Sequence, residues 1–139
     1  MSDRPRYVFD TNTIVSAFLF DESFPGRALK MALRRGTVLL SEEVAEELSG
    51  VLRRERFDRY VRRERREELL YGLIREATLV EVRVTIRACR DAADDKFLAL
   101  AVEGNAACIV TGDADLLVLH PFRNIPVLNA HAFLEWVRR

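Results

Sequence analysis

The sequence is poor in cysteine and contains no long apolar run. Its two cysteines, Cys89 and Cys108, lack the close spacing of metal-binding or redox pairs. We therefore expect two buried, reduced thiols rather than a disulfide framework or a zinc site. The longest apolar stretches, such as residues 15–20 and 116–119, fall far short of the ~20 residues that a membrane span needs. The N-terminus also lacks the hydrophobic region of a secretory signal, which predicts a cytoplasmic protein without membrane association.

An excess of charge of one sign is also missing, because 22 basic residues balance 22 acidic ones. The overall field therefore does not indicate a nucleic-acid-binding protein. The basic residues are unevenly placed, and eight arginines lie within residues 53–66 together with Phe57 and Tyr60. Guanidinium groups there are able to contact phosphates. The favoured interpretation is a solvated helix face, since interleaved acids provide ion-pair partners three or four residues away.

The size and composition of the chain predict one globular domain that spans residues 1–139. The chain is 49% hydrophobic and 32% charged, which is typical of a soluble protein. A chain of this length buries roughly two-thirds of the surface that its unfolded form exposes, so it needs neither disulfides nor a structural metal for a core.

Short apolar segments alternate along the chain with segments of helical periodicity. This order predicts an α/β fold in which helices cover a parallel five-stranded sheet. The predicted strands are residues 7–9, 38–40, 79–84, 108–111 and 126–128. The predicted helices are residues 11–18, 25–35, 42–54, 61–77, 94–103 and 130–137. Helix boundaries are supported by Pro25 in a first turn, by Gly36 and Gly104 after helix ends, and by Ser41 and Asn129 as N-caps.

Acidic residues follow two of the predicted strands. Asp10 comes directly after the first strand, and Asp113 comes just past the fourth. Ligands of open parallel sheets bind outside the carboxyl ends of the strands, so we expect a binding or catalytic site at these positions. Carboxylates held together repel one another unless a cation compensates their charge. The alternative is that each aspartate is only the N-cap of the following helix.

Two predicted helices add further acids. On the helix after the second strand, Glu47 lies at the edge of the apolar stripe, and Glu43 is the second choice farther round the helix. On the helix that contains Phe97, Asp94 projects toward the apolar face and Asp95 toward its flank. Asp94 is therefore the preferred inward acid, although a simple helix-start role remains an alternative.

Other kinds of site lack their residues. The sequence has no phosphate loop, dinucleotide-binding turn or serine-nucleophile elbow. His120 and His131 are interpreted as surface or capping residues. A receiver domain would need an acceptor aspartate after the third strand and a lysine after the fifth, and neither is present. All-carboxylate ligation suits Mg²⁺ or Mn²⁺ rather than zinc or copper.

Four of these segments together resemble the PIN-domain family of metal-dependent ribonucleases, in particular the VapC-like toxins of toxin–antitoxin systems. The resemblance covers nearly the whole chain, and the four motifs occur in the order of the family. They are VFDTNT at residues 8–13, LSEEVAEEL at 40–48, DAADDKFLALA at 91–101 and IVTGDADLL at 109–117. One departure is Ala92, which replaces the usual proline after Asp91.

The resemblance implies a three-layer α/β/α fold and an acidic pocket that holds Mg²⁺ or Mn²⁺. It implies cleavage of RNA phosphodiester bonds by a metal-activated water. The implied catalytic acids are Asp10, Glu47, Asp94 and Asp113, of which Asp10, Asp94 and Asp113 hold the metal. Substrate-contacting or supporting roles are implied for Asn12, Thr111 and Asp115. The doubled acid at Asp94 and Asp95 leaves the third position open by one residue.

The resemblance also implies partners for the chain. These are an RNA substrate, a small antitoxin protein and a second copy of the chain in a homodimer. The apolar residues Phe18, Leu19 and Phe20 are candidates for such contacts or, alternatively, for the core. Arg6 and the arginines of residues 53–66 become candidate phosphate contacts. The alternative function is a catalytically silent PIN scaffold that binds RNA or protein.

Overall fold

The structure is a computed structural model that describes residues 4–138. Strands and helices alternate along the described chain. The strands are β1 (Arg6–Phe9), β2 (Thr37–Leu40), β3 (Thr78–Leu79), β4 (Cys108–Val110) and β5 (Val127–Leu128). The helices are α1 (Thr11–Leu19), α2 (Phe24–Arg35), α3 (Glu42–Leu52), α4 (Arg63–Glu76), α5 (Asp95–Glu103), α6 (Ala114–Leu117) and α7 (Ala130–Val137). Two 3₁₀ turns lie at Glu55–Phe57 and Ala92–Asp94.

The five strands form one parallel sheet in the order β3-β2-β1-β4-β5. The chain moves outward from β1 in one direction to β2 and β3, and in the other direction to β4 and β5. The strand order therefore reverses between β1 and β4. A crevice at such a reversal, outside the carboxyl ends of the strands, is where open α/β sheets bind ligands. The outermost strands, β3 and β5, have only two residues each.

Helices cover both faces of the sheet. Side chains alternate along β1, so that Tyr7 and Phe9 join the core under α1, α2, α4 and α7, while Val8 joins the core under α5 and α6. The ring of Phe133 on α7 packs edge-on against those of Tyr7 and Phe9. This confirms the predicted three-layer α/β/α fold with a central parallel five-stranded sheet.

The predicted helix boundaries are largely confirmed. Ser41 Oγ accepts a hydrogen bond from the Val44 backbone N–H at 3.1 Å, and Asn129 Oδ1 accepts one from that of Ala132 at 2.8 Å. Pro25 lies in the first turn of α2, while Gly36 and Gly104 end α2 and α5. Sequence reasoning missed the four-residue α6, because a single turn is too short to show a helical period.

The predicted strand at residues 79–84 is wrong beyond Leu79. The chain stays extended but leaves the sheet, because side chains of α5 rather than a neighbouring strand satisfy its backbone. Glu103 Oε1 accepts hydrogen bonds from the N–H groups of Arg83 and Val84 at 2.8 and 3.1 Å. Asp95 Oδ1 accepts two more, from residues 88 and 89, at 3.1 and 2.8 Å. The carboxylates at the two ends of α5 thus hold residues 83–89 against that helix.

Both cysteines are free thiols, as predicted, but only Cys108 is buried and Cys89 is half-buried. None of the helices described within residues 4–138 has the length and apolar character required to cross a bilayer.

Candidate active site

Asp10 and Asp113 lie at the carboxyl edge of the sheet, where the strand order reverses. Asp10 follows β1, and its backbone N–H donates to the carbonyl of Val110 at 3.1 Å, which continues the pairing of β1 with β4. Asp113 comes three residues after the end of β4. The two aspartates therefore follow neighbouring parallel strands, as the sequence predicted.

Asp10 is almost completely buried, with 5% of its surface exposed. Its Oδ1 accepts a hydrogen bond from the backbone N–H of Thr13 at 2.9 Å and so caps α1. Its Oδ2 accepts a hydrogen bond from the Thr111 hydroxyl. Burial raises the pKa of Asp10, against the effect of these hydrogen bonds, and the negative charge of Asp113 raises it further. The capping interpretation is thus correct for Asp10, but the carboxylate also faces a second acid.

Thr111 links these two aspartates. Its side chain is fully buried, and its hydroxyl donates to Asp10 while accepting the backbone N–H of Asp113 at 3.0 Å. One hydroxyl group therefore fixes the Asp10 carboxylate relative to the backbone at Asp113. This contact gives a physical basis for the supporting role that the resemblance implied for Thr111.

Two further carboxylates, those of Asp94 and Asp115, converge on Asp113. Asp94, Asp113 and Asp115 are half-buried, and each offers one oxygen within 4.8 Å of the others. The pKa of Asp94 is raised to about 6 by burial, by its side-chain hydrogen bond with Asp113, and by nearby negative charge. Within residues 4–138, this is the group of acids that meets the geometry of a metal site. Three carboxylate oxygens that lie this close together fit Mg²⁺ or Mn²⁺.

Asp94 and Asp95 have different surroundings. Asp94 ends the 3₁₀ turn before α5, makes no capping hydrogen bond with its side chain, and faces Asp113. Asp95 instead accepts the backbone N–H groups of Ala88 and Cys89, which lower its pKa. Only Asp94 of the two therefore belongs to the carboxylate cluster.

Glu47 points toward the same side of the sheet but does not belong to the cluster of three aspartates. Its Oε1 accepts a hydrogen bond from the Thr11 hydroxyl, and its Oε2 lies 2.7 Å from Nζ of Lys96. Glu43, the second choice from the sequence, is exposed. Asn12 is also exposed, on the first turn of α1 beside Asp10.

Sequence reasoning missed Lys96 as part of this region. Its ammonium group is largely buried, with 9% of the side chain exposed, and it is the one cation described as paired with an acid of the pocket within residues 4–138. The available signal was that Lys96 is one of two lysines in an arginine-rich chain and directly follows two aspartates.

Arg66, within the arginine-rich residues 53–66, has a structural role. Arg66, considered above as a phosphate contact, is completely buried and donates to the carbonyls of Leu52, Arg54 and Val61. It also pairs with Asp58 at 2.9 Å. Its candidacy as a phosphate contact was therefore wrong, because its guanidinium group is occupied by the backbone that it anchors.

The ion-pair interpretation of this segment is confirmed on its outer face. Arg63 pairs with Glu67 and Arg65 with Glu68, both at 3.1 Å and at helical spacing. Arg6 does not lie beside the acidic pocket. It begins β1, at the opposite edge of the sheet from Asp10, and donates to the carbonyl of Gly104 at 3.1 Å.

Comparison with known proteins agrees with this fold. Residues 6–115 match the sequence model of the PIN domain. An uncharacterised protein of Methanocaldococcus jannaschii is 28% identical over 116 residues, which cover 82% of this chain and 74% of that protein. A chain from the crystal structure of VapBC2 from Rickettsia felis, bound to a DNA fragment from their promoter, is similar in fold. Its TM-score is 0.61 at 15% identity, over 89% of this chain and 98% of that one.

Proposed function

This chain belongs to the PIN-domain family, and from that premise we propose that it is a Mg²⁺- or Mn²⁺-dependent endoribonuclease. The observation that carries the proposal is the convergence of Asp94, Asp113 and Asp115 beside buried Asp10. This cluster lies where the strand order reverses, the position at which parallel α/β sheets bind their ligands.

The proposed roles follow from the surroundings of each acid. Asp94 and Asp113 would hold the metal together with Asp115, and Asp10 would complete the site from its buried side. A bound divalent ion would supply charge neutralisation for the scissile phosphate and acidify a water molecule. Thr111 keeps Asp10 and the backbone of Asp113 in register. Glu47 is the proposed fourth catalytic acid, and Asn12 lies exposed where it would meet the substrate.

The chemistry requires no side-chain nucleophile. The raised pKa of Asp94 indicates that its carboxylate is poorly stabilised without a cation, which favours metal capture. Binding a cation there would relieve the repulsion between Asp94 and Asp113. Because this repulsion destabilises the folded state, we expect a bound metal ion to raise the free energy of unfolding.

The test is incubation of the purified chain with mixed single-stranded RNAs in Mn²⁺ or Mg²⁺, compared with EDTA, and with Asp113→Asn as the matched control. We expect cleavage only with metal and only with the unsubstituted aspartate. Metal-independent cleavage would contradict the proposal. RNA binding without cleavage in all metals would favour the alternative, a catalytically silent scaffold.

We further propose that the chain is the toxin of a toxin–antitoxin pair and forms a homodimer. A mainly apolar groove of about 610 Å³ lies between α1, α2 and α4. Phe18 and Leu19 contribute to its lining, while Phe20 is 48% exposed and packs edge-on against Tyr60. The likeness to the VapBC2 structure supports this role. We expect the groove to receive an apolar antitoxin helix.

Two measurements test these partners. Light scattering at micromolar concentration should give the mass of a dimer, and a monomer would contradict the homodimer. A short protein encoded beside this chain should co-purify with it and suppress RNA cleavage. Loss of that suppression on Leu19→Asp, with cleavage itself retained, would support the groove as its binding surface.

A further inference from the structure

Lys96 and Glu47 form an unusually sheltered ion pair beside the carboxylate cluster. Their side chains are 9% and 34% exposed, and the ammonium nitrogen lies 2.7 Å from Oε2 of Glu47. Each other ion pair described within residues 4–138 includes at least one side chain more than half exposed. A partly buried pair is screened less by salt than an exposed one and is more costly to separate.

Further contacts hold both members of the pair. Lys96 Nζ also donates to the carbonyl of Ala93, in the turn that leads to Asp94. The second oxygen of Glu47 accepts the hydroxyl of Thr11. Glu47 on α3 is therefore joined to the first residue of α1 on one side and to the first turn of α5 on the other.

Each carboxylate oxygen of Glu47 thus already has one partner. A metal ion ligated by Glu47 would lie close to the ammonium group of Lys96, and the repulsion between the two cations would oppose its binding. The pair is also neutral as a unit, so Glu47 adds little to the negative potential that attracts a second cation. No ion pair is described for the three clustered aspartates within residues 4–138, and the positive charge of Lys96 offsets only part of the rise in the pKa of Asp94.

We propose that Lys96 is a built-in counter-ion that holds Glu47, so that the chain without RNA binds a single divalent ion, at the aspartate cluster. Lys96 is thus a positioning residue that occupies, with its ammonium group, the place beside Glu47 where a second metal ion would otherwise bind. The inference rests on the proposed function, because it concerns the same metal site. It goes further in stating how many ions bind to the RNA-free chain and in proposing that Glu47 is not a metal ligand.

The experiment counts Mn²⁺ ions bound to the RNA-free chain. Free Mn²⁺ is followed by electron paramagnetic resonance during a titration of the wild type, Glu47→Gln, Lys96→Met, Lys96→Arg and the double variant Lys96→Met/Glu47→Gln. Circular dichroism checks the fold of each variant. We expect the wild type, Glu47→Gln and Lys96→Arg to bind one ion each, since no ligand is removed. The affinity of Glu47→Gln should be lower, because the ammonium group of Lys96 is then no longer neutralised beside the cluster.

Lys96→Met should bind a second ion, because Glu47 is then left as an unpaired carboxylate beside three others, and the double variant should return to one. A folded Lys96→Met that still binds one ion would overturn the inference. Two ions on the wild type, or none, would also overturn it. If Lys96→Met does not fold, the wild type and Glu47→Gln decide alone, since a Glu47 ligand would show as two ions falling to one.

RNA cleavage is measured separately, so that the two proposals fail independently. A chain that binds one ion in the expected pattern but cleaves no RNA supports this inference and refutes the proposed nuclease. A chain that cleaves RNA with metal but binds two ions, one of them lost in Glu47→Gln, supports the nuclease and refutes this inference.

Discussion

At the carboxyl edge of the sheet, three aspartates face one another, whereas three arginines of residues 53–66 are paired with neighbouring acids. Arg63 and Arg65 pair with glutamates on the same helix, and Arg66 is buried against backbone carbonyls and Asp58. In the aspartate cluster, like charges converge and the pKa of Asp94 rises. A dense run of charge therefore indicates a ligand only where the fold leaves that charge uncompensated.

The two regions are also separated along α3. This helix begins at the carboxyl edge with Glu42 and has 11 residues, so its end lies about 16 Å away at 1.5 Å per residue. Residues 53–66 follow that end. Changes to the aspartate cluster should therefore alter metal binding and cleavage, while changes to Arg66 should alter stability.

The largest expected effect is that of Asp113→Asn on cleavage. Asparagine still caps the short helix α6, so the fold should persist. The lost charge at the centre of the cluster should lower the single-turnover rate by at least about a hundredfold, or about 2.7 kcal/mol of transition-state stabilisation. Thermal unfolding with and without Mn²⁺ provides the control, and a variant still stabilised by Mn²⁺ as much as the wild type would refute the shared site.

Arg66→Ala should lower the free energy of unfolding by about 3 kcal/mol, because it leaves one buried and two partly buried carbonyls without their donor. Urea unfolding measures the loss. The matched control is Arg65→Ala, whose exposed pair with Glu68 is worth less than about 1 kcal/mol. Equal losses for the two variants would show that burial does not distinguish these arginines.

Asp94→Asn should reduce cleavage at least about tenfold more than Asp95→Asn, since only Asp94 faces Asp113. A factor of ten corresponds to about 1.4 kcal/mol. Asp95→Asn should instead loosen residues 88 and 89, whose N–H groups it accepts. Amide hydrogen exchange of those two residues checks this second expectation, and a reversed order of activities would assign the metal to Asp95.

The smallest effect concerns pH in the absence of metal. The folded-state pKa of Asp94, about 6, exceeds its unfolded value, so the native state retains a proton that the unfolded state releases between about pH 4 and 6. Relative to Asp94→Asn, the wild type should therefore lose stability as pH rises through that range. Melting temperatures of both proteins at pH 4.5 and 7 test this, and parallel curves would contradict it.

The sequence was sufficient to predict the layers of the fold and the positions of Asp10 and Asp113, because strand alternation and strand ends are local properties. It was also sufficient to prefer Asp94 over Asp95 on the helix that carries both. The choice of Glu47 over the exposed Glu43 likewise agrees with the direction in which Glu47 points. The roles of all these residues in catalysis remain predictions.

Long-range contacts were beyond the sequence. No local sequence pattern indicates that Lys96 pairs with Glu47. Likewise, none indicates that Arg66 donates hydrogen bonds to carbonyls 5 to 14 residues earlier in the chain. The prediction of the length of the third strand was wrong for the same reason. Residues 79–84 have the composition of a strand, but Glu103 competes for the backbone N–H groups at 83 and 84.

The brevity of the two outermost strands bears on how copies of this chain behave when they are concentrated. A free strand edge is a template for pairing with another molecule, and intermolecular aggregation grows from long, flat edges. Here β3 and β5 present only two residues each, and the chain after β3 is bound by carboxylates of α5. We therefore expect these short edges to disfavour edge-to-edge pairing between copies of the chain.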